Sequence, residues 1–361
     1  MISFSNSNTF FYYFQLLETV KVRCFSVKPL KAEKVRRVLI ENGVLLHEFP
    51  VITEKDQVIF PVQGTAEISL LEGTGAKVQV IEREMIPRKV RPRSYKELLE
   101  LDEDLMSLLP SSFDMIGDIA IMKLPTELIP RRLEIGNALG QFNRNIRSVA
   151  LNRGVKGDLR VMDLEVISGD SNLETTHVEN NLRFKLDPSL VYFSPRLATE
   201  RMRVAEMVRD EKVLDMFAGI GPFSINIASL GRAETVVGID LNPHCIRYFN
   251  TNILLNSVED RVETHLGDAR DISSVLGPFD RVVMNLPHNS IDFLDVALSS
   301  MDSGYIHLYR VLEHSMIMDD VGKIMSISEK LNRKMEVALM REVHNYSPTQ
   351  SMFVFDIRVL S

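Results

Sequence analysis

The sequence predicts an α/β protein whose carboxyl-terminal half forms a mostly parallel sheet, preceded by two smaller α+β domains. Three features of that half support the prediction. Short apolar segments alternate with segments of helical spacing, which is the pattern of strand–helix–strand units in a parallel sheet. The apolar segment 213–217 leads directly into a glycine turn, and the chain ends in two strand-like segments at 336–343 and 353–360. The terminal pair predicts a hairpin that adds one antiparallel strand to the sheet.

The composition is that of a globular protein without a disulfide framework or a membrane span. The chain has 361 residues, of which 45% are hydrophobic and 25% are charged. Its two cysteines, Cys24 and Cys245, fit a reducing compartment, so we expect a cytoplasmic protein. No apolar run is long enough to cross a membrane. The formal net charge of -7 means that any contact with nucleic acid depends on local basic patches.

Shifts in composition divide the chain into an amino-terminal extension and three domains. Residues 1–19 are polar and aromatic and contain no lysine or arginine, so they resemble neither a secretory nor a mitochondrial leader, and we expect a disordered extension. Two prolines and five basic residues at 87–96 indicate a linker that can also contact phosphate. The predicted domains are a small α+β domain at 20–88, a middle α+β domain at 94–187 and the α/β domain at 188–361.

Apolar periodicity, together with glycine and proline stops, predicts the elements of each domain. Both smaller domains carry basic residues that either contact RNA or face solvent. The elements predicted in the first domain are strands at 20–27, 58–62 and 76–84 and a helix at 31–42. Those of the middle domain are helices at 95–109 and 130–142 and strands at 113–123, 148–151, 158–162, 164–167 and 176–186. Those of the α/β domain are helices at 194–208, 222–230, from 243 onward and at 313–331, and strands at 213–217, 235–240, 262–266, 280–284 and 304–312.

A glycine turn and a carboxylate in the α/β domain form the pattern of a nucleotide-ribose site. Gly219 and Gly221 follow the first apolar strand, and glycine lets the backbone turn tightly close to a ligand. Asp240 ends the next strand, where a carboxylate can accept hydrogen bonds from ribose hydroxyls. A dinucleotide site would have a third glycine where this chain has Ser224, so a nicotinamide enzyme is the less favoured alternative. A turn without any ligand is the other alternative.

The pattern D-x-F-x-G-x-G at the start of this turn resembles the first motif of class I methyltransferases that use S-adenosylmethionine. The resemblance implies a Rossmann-like sheet closed by an antiparallel hairpin, with Asp240 on the adenosyl ribose and the glycine turn against the methionine part of the donor. Asp268 follows the strand 262–266, at a position that commonly contacts adenine in this fold. The expected donor-binding residues are Asp215, Phe217, Gly219, Gly221, Asp240, Asp268, Asn285 and Pro287.

A second candidate motif, Asn285-Leu286-Pro287-His288, follows the strand 280–284. Ligands bind at the carboxyl ends of strands in open α/β sheets, and an amide side chain can both donate to and accept from a base edge. The tetrapeptide resembles the N-P-P-Y motif of amino-methylating enzymes but differs at Leu286 and His288. This departure argues against adenine N6 or a glutamine amide as the target. An asparagine that only forms a turn is the alternative.

A third motif, YFSPRLATER from Tyr192 to Arg201, precedes the α/β core. In combination with the two motifs downstream, it resembles the archaeal and eukaryotic tRNA (guanine37-N1)-methyltransferases, from Val20 to the end of the chain. The resemblance implies methyl transfer from S-adenosylmethionine to N1 of guanosine 37, next to the anticodon. It also implies that tRNA is bound through the anticodon stem-loop and the outer body. We expect the protein to act as a monomer.

The reaction requires a base near guanine N1 and a positive group near O6, because N1 carries a proton until it becomes a nucleophile. By resemblance, Glu200 is the general base, Arg160 stands at O6 and Asn285 orients the base edge. Tyr192 and Pro287 would pack near the guanine, which must leave its stack to reach the pocket. Without the family pattern, Glu200 is more simply a helix carboxylate paired with a neighbouring arginine, Arg201 or Arg203.

Other activities of the same fold stay open at the level of sequence. The protein could instead transfer the aminocarboxypropyl group of the donor, or methylate a tricyclic base, during wybutosine synthesis. A non-catalytic RNA-binding protein is an alternative from another class. We expect no metal, since His244 and His288 have no partners at ligand spacing.

Overall fold

The structure is a computed structural model in which the chain forms two compact units, one ending at Arg93 and one beginning at Ser94. It describes residues 19–88, 92–157, 159 and 161–361. The predicted extension at 1–19 lies outside the described residues except for Thr19, and so does Arg160. The second unit contains both the middle and the α/β domains of the sequence analysis, and the division between them at 187 stays a prediction.

The first unit is an antiparallel sheet with one helix packed on it. Its elements are β1 (Val20–Val27), α1 (Pro29–Glu41), β2 (Ile52–Glu54), β3 (Gln57–Pro61) and β4 (Gln79–Met85). The sheet order is β2-β3-β1-β4. Val35 and Leu39 of α1 are buried against Phe25 and Phe60 of the sheet, as the helical spacing predicts. The predicted strands and helix are confirmed here, with ends that differ by a few residues.

The first part of the second unit is a four-stranded sheet with a helix on it, followed by a hairpin. Its elements are α2 (Glu103–Leu108), β5 (Asp114–Ile116), β6 (Ile119–Met122), α3 (Arg132–Phe142), β7 (Ser148–Lys156), β8 (Val161–Gly169), β9 (Thr175–Glu179) and β10 (Leu182–Leu186). The order of the four-stranded sheet is β5-β6-β7-β8, and β9 pairs with β10. Asn180 and Asn181, with φ of 51° and 63°, form the predicted turn between β9 and β10.

Three predictions for this part are wrong, each for a local reason. The predicted helix 95–109 is a 3-10 turn followed by an extended stretch and α2, because the Asp102 carboxylate accepts from Leu105 N at 2.9 Å and starts a new helix. The predicted strand 113–123 is a hairpin, since Gly117 turns with φ of 57°. The two short strands at 158–162 and 164–167 are the single strand β8.

The rest of the second unit is the predicted α/β sheet. Its elements are α4 (Ala198–Met207), β11 (Lys212–Asp215), α5 (Pro222–Ser229), β12 (Thr235–Asp240), α6 (Pro243–Leu255), β13 (Val262–Leu266), α7 (Ala269–Leu276), β14 (Arg281–Met284), α8 (Leu294–Ser299), β15 (Gly304–Leu312), α9 (Ile317–Leu331), β16 (Met335–Asn345) and β17 (Ser351–Val359). The sheet order is β13-β12-β11-β14-β15-β17-β16. Only the contacts of β17 are antiparallel, so the predicted parallel sheet with a closing hairpin is confirmed. The short helices α7 and α8 were not predicted.

Helices cover both faces of this sheet. On one face, α4, α5 and α6 pack on a core that includes Val213, Val236 and Tyr309. On the other face, α7, α8 and α9 pack on a core that includes Leu214 and Leu308. Because β11, β12, β13 and β14 are parallel, their carboxyl ends meet at one edge, where the glycine turn, Asp240, Asp268 and Asn285 lie. In the part of the chain that the structure describes, no helix has the length and apolarity needed to cross a membrane.

Candidate active site

The glycine turn after β11 combines one glycine needed for packing with one that leaves space for a ligand. Gly219 and Gly221 both have positive φ, of 57° and 84°. A Cβ on Gly221 would lie 2.0 Å from Cε2 of Phe249 in α6, so this glycine is required by helix packing. At Gly219 the nearest atom to such a Cβ is the Tyr192 carbonyl oxygen, at 3.9 Å. Gly219 is therefore the position at which the backbone can approach a ligand.

Asp240 is fixed beside this turn by two backbone donors. Its Oδ2 accepts from Gly219 N at 2.7 Å and its Oδ1 accepts from Asn242 N at 2.8 Å. Burial raises the pKa of Asp240, and the two N–H donors act in the opposite direction. A carboxylate has about four acceptor positions; two accept from these N–H groups and the Cys245 thiol also bonds to Asp240, so the remaining capacity is available to a hydroxyl donor. The arrangement suits a ribose held against the glycine turn.

Asp215 lies beneath the turn, where it is bonded to the residue that replaces the third glycine of a dinucleotide site. Ser224 Oγ donates to Asp215 Oδ2 at 2.9 Å. Burial raises the pKa of Asp215 to about 7. Its Oδ1 is buried and has no hydrogen-bond partner among the described residues. Ser224 thus links the start of α5 to the end of β11 at the position where a dinucleotide site would have a glycine.

Phe217 and Asp268, both predicted to bind the donor, are linked through two residues that were not predicted. The Phe217 ring packs edge-on against Phe293, with centroids 5.0 Å apart. Arg270 lies over the Phe293 ring at 4.3 Å and donates from Nη1 to Asp268 at 3.1 Å. Gly267 N donates to the Asp240 carbonyl at 3.1 Å, which brings this group next to the ribose candidate. An apolar ring wall beside a carboxylate suits an adenine base.

The loop that carries Asn285 and Pro287 is attached to β15. The Pro287 carbonyl accepts from Val311 N at 3.0 Å, and Ser290 Oγ donates to the Tyr309 carbonyl at 2.6 Å. The Oδ1 of Asn285 is buried and, within the described ranges, accepts no hydrogen bond. A buried, unpaired amide oxygen is costly unless a donor meets it, so it fits a base edge with an N–H group.

Glu200 on α4 is buried, with only 1% of its side chain exposed, and three residues bind its carboxylate. Arg203 Nη2 lies 2.7 Å from Oε1, and the Tyr309 hydroxyl donates to the same oxygen at 2.8 Å. Arg341 donates to Oε2. Glu200 is therefore paired with Arg203, one of the two candidates from sequence, whereas Arg201 pairs with Glu179 at 2.6 Å.

The strand register explains why these partners meet. Tyr309 on β15 and Arg341 on β16 both pair with Val354 of the intervening strand β17, so they lie in one row across the sheet. Helix α4 covers that row and places Glu200 over it. The backbone of Tyr309 also holds Ser290 in the loop after Asn285, so Tyr309 connects Glu200 with the loop that carries Asn285.

The structure thus brings most of the predicted residues to one edge of the sheet. Tyr192 is half-exposed, and its carbonyl faces the glycine turn. Arg160 lies outside the described residues. Sequence reasoning missed Tyr309 and Arg341, because only the register reveals them. Arg203 was one of the two arginines named from sequence, and its i+3 spacing to Glu200 on a helix favours it over Arg201.

A separate polar cleft of about 800 Å³ contains none of the predicted residues. Its lining includes Asp118, Arg147 and His177. Arg147 donates there to Asp118 at 2.8 Å and to the carbonyls of Asn172 and Glu174. The positive charge of Arg147 is therefore already paired within the protein. In the described ranges, no group of histidine, cysteine, aspartate and glutamate side chains is arranged to hold a metal ion.

Two family models match the second unit. Residues 175–339 match the TRM5/TYW2 methyltransferase domain, and residues 95–172 match the TYW2 N-terminal domain. The match to the methyltransferase domain includes the glycine turn, Asp240, Asn285 and Glu200.

Several known proteins are similar to most of the chain. The tRNA (guanine(37)-N(1))-methyltransferase Trm5b of Pyrococcus abyssi is 40% identical over 339 residues, which cover 92% of this chain and 97% of that protein. The tRNA(Phe) (4-demethylwyosine(37)-C(7)) aminocarboxypropyltransferase of Pyrococcus horikoshii is 33% identical, over 75% of this chain and 97% of that protein. Among solved structures, the complex of aTrm5 with tRNALeu superposes with a TM-score of 0.81 at 31% identity, covering 93% of this chain and 99% of that chain.

Proposed function

Because the chain belongs to the TRM5/TYW2 family of methyltransferases, we infer that it transfers the methyl group of S-adenosylmethionine to N1 of guanosine 37 in tRNA. The observation that carries this inference is the similarity to a guanine-N1 methyltransferase over nearly the whole chain, first unit included. The glycine turn, Asp240 and the loop of Asn285, which carry two of the sequence motifs, lie at one edge of the sheet, and this supports the same activity.

The donor site fits S-adenosylmethionine. The open space at Gly219 can receive the methionine part, and Asp240 keeps acceptor positions for the ribose hydroxyls. Phe217, Phe293 and Asp268 would enclose the adenine. When bound, the donor supplies a methyl group on a positively charged sulfur, and the electron pair of the broken bond stays on that sulfur.

The groups on the guanine side would direct the reaction to N1. We propose Glu200 as the acceptor of the N1 proton, and Arg160 as the positive group at O6. The unpaired Oδ1 of Asn285 would accept from the 2-amino group of guanine. Adenine has no amino group at that position, so this contact would favour guanosine over adenosine. Tyr192 and Pro287 would pack against the base.

Transfer of an aminocarboxypropyl group from the same donor is the second candidate, since a relative with that activity is 33% identical. That relative is matched over 97% of its own length by only 75% of this chain. The guanine-N1 methyltransferase matches 92% of this chain, so the residues of this chain that only it matches favour methyl transfer. Methylation of a tricyclic wybutosine precursor is chemically closer and would use the same donor site.

The test is transfer to tRNA transcripts that carry guanosine or adenosine at position 37, followed by mass analysis of the nucleosides. Formation of N1-methylguanosine on the guanosine transcript alone supports the proposal. A product heavier by an aminocarboxypropyl group assigns the protein to the other branch. Donor binding without transfer to either transcript contradicts the proposed target.

The tRNA contact has two proposed parts. The anticodon stem-loop would bind at the active site, and basic residues of α1 and of the linker would bind the outer body of the tRNA. Replacement of Lys28, Lys31 and Lys34 by glutamine should weaken the binding of whole tRNA but not that of an isolated anticodon stem-loop. We also propose a monomer in the cytoplasm, which light scattering and cell fractionation test.

A further inference from the structure

The two oxygens of Glu200 have different kinds of partner. Oε1 accepts from the Tyr309 hydroxyl at 2.8 Å and from Arg203 Nη2 at 2.7 Å. Oε2 accepts from Arg203 Nε at 3.0 Å and from Arg341 Nη2. Tyr309 is fully buried, whereas Arg341 exposes 41% of its side chain. The oxygen Oε2 is therefore closed on one side by a residue with access to solvent.

Arg203 is fixed from behind by a chain of buried groups. Its Nη1 lies 2.7 Å from Asp356 Oδ2, and Asp356 Oδ1 lies 2.6 Å from His307 Nδ1. Arg281 Nη1 lies 2.7 Å from His307 Nε2. Because arginine only donates, Nε2 accepts and the proton of the neutral imidazole is on Nδ1, facing Asp356. Burial lowers the pKa of His307, which agrees with a neutral ring. These contacts hold Arg203, and through it Oε1, in one position.

Arg341 has no comparable support. It is carried by β16, the outermost strand of the sheet. Its Nε is buried and is one of the side-chain donors for which the described part of the chain offers no acceptor. Its Nη1 reaches only the Glu342 carbonyl, at 3.5 Å. A guanidinium with an unsatisfied donor gains hydrogen bonds by moving to a new acceptor, and RNA is rich in oxygen acceptors.

We propose that Arg341 is a positioning residue that closes Oε2 of Glu200 in the RNA-free protein and releases it when the RNA substrate binds. This inference rests on the proposed function. Once released, Oε2 accepts the N1 proton of guanine, and the N1 electron pair forms the bond to the methyl carbon as the bond from that carbon to the donor sulfur breaks and leaves its electron pair on sulfur. Arg341 then pairs with an oxygen of the RNA, while Tyr309 and Arg203 keep Oε1 in place.

The release has a measurable effect on the pH dependence of transfer. The charged and titratable groups around Glu200 are Arg203 on its own helix, Tyr309 on β15 and Arg341 on β16, with Asp356 of β17 behind Arg203. Removing the Arg341 cation makes the carboxylate easier to protonate, so the acid limb of the pH–rate profile moves to higher pH. Rates at subsaturating RNA report the free protein, and rates at saturating RNA report the complex.

The experiment measures single-turnover methyl transfer against pH for the wild type and Arg341→Met, at subsaturating and at saturating RNA. We expect the acid limb of Arg341→Met to lie about one pH unit higher at subsaturating RNA and to coincide with that of the wild type at saturating RNA. Arg341→Lys keeps a cation and should follow the wild type in both conditions. Arg358→Met, on the neighbouring strand, is the matched control, since in the described ranges the ion pair of Arg358 is with Glu336, at 3.6 Å.

Each other outcome overturns the inference. A limb displaced in both conditions means that Arg341 stays on Glu200 in the complex. Coincident limbs in both conditions mean that Arg341 does not control Glu200. Thermal unfolding of each variant shows whether a rate loss comes from instability. No transfer by the wild type would overturn the proposed function, and with it the part given to Arg341. Normal wild-type transfer with limbs that are displaced in both conditions, or coincident in both, overturns only the inference.

Discussion

In the donor half of the site, Gly219 and Asp240 are 21 residues apart and are joined by a hydrogen bond of 2.7 Å. In the base half, Glu200 is bound to Tyr309 and Arg341, which are 109 and 141 residues away. The donor half is made of backbone turns at the ends of neighbouring parallel strands. The base half is made of side chains from one helix and three strands, and it carries concentrated buried charge. The first is therefore set by local sequence and the second by strand register.

The largest effect should come from the packing glycine of the donor half. Gly221→Ala places a Cβ 2.0 Å from the Phe249 ring at a φ of 84°, and we expect a loss of about 3 kcal/mol in the free energy of unfolding. The matched control is Gly231→Ala, which has φ of 65° but no atom within 4 Å, with an expected loss of about 1 kcal/mol. Urea unfolding measures both, and equal losses would contradict the packing requirement.

Asp240→Asn should affect donor binding more than folding. An amide in place of the carboxylate puts an NH2 donor against one of the two N–H groups, Gly219 N or Asn242 N, so the turn loses one of its two anchors and the ribose loses an acceptor. We expect donor affinity to fall about thirtyfold, or on the order of 2 kcal/mol. Calorimetric titration with the donor gives the value. Asp260→Asn, an exposed carboxylate paired with Arg261, should bind the donor like the wild type.

The two halves should also respond differently to pH. Asp215 has its pKa raised to about 7 by burial, so the folded protein takes up a proton there at a pH at which the unfolded chain does not. Its contribution to stability therefore rises as the pH falls from about 7 towards 4. Burial acts to raise the pKa of Asp356, but His307 and Arg203 lower it overall. The stability that the ionised Asp356 carboxylate contributes is therefore lost only in strong acid.

Urea unfolding at pH 5 and pH 7.5 tests the assignment to Asp215. The difference in unfolding free energy between the two pH values should be smaller in Asp215→Asn than in the wild type. An unchanged difference would mean that another group titrates.

The smallest predicted effect is that of Tyr309→Phe. The variant keeps the packing of the ring and removes one of the donors that orient Glu200. We expect transfer to fall about tenfold with unchanged donor affinity, because Arg203 still holds the carboxylate. Tyr305→Phe, on the same strand, is the control. A tenfold loss in both variants would show that the strand, and not the Glu200 contact, is responsible.

The donor half could be predicted from the sequence more completely than the base half. The glycine turn, Asp240 and the parallel sheet were predictable, since each depends on residue type at short spacing. The position of Arg341 was not, because β16 shifts its register twice against β17, between Val337 and Leu339 and again between Glu342 and His344. Val337 packs on one face of the sheet while Arg341 reaches Glu200 on the other, although four residues apart on a regular strand share a face.

The most direct test of the account measures donor binding and transfer to guanosine 37 on the same samples of wild type and Glu200→Gln. Glu200 is not among the expected donor-binding residues, so the variant should bind S-adenosylmethionine with wild-type affinity. Its transfer rate should fall by a factor of about 100 or more, since a glutamine cannot accept the N1 proton. Transfer within a few fold of the wild type would show that Glu200 is a structural ion-pair partner and that another group takes the proton.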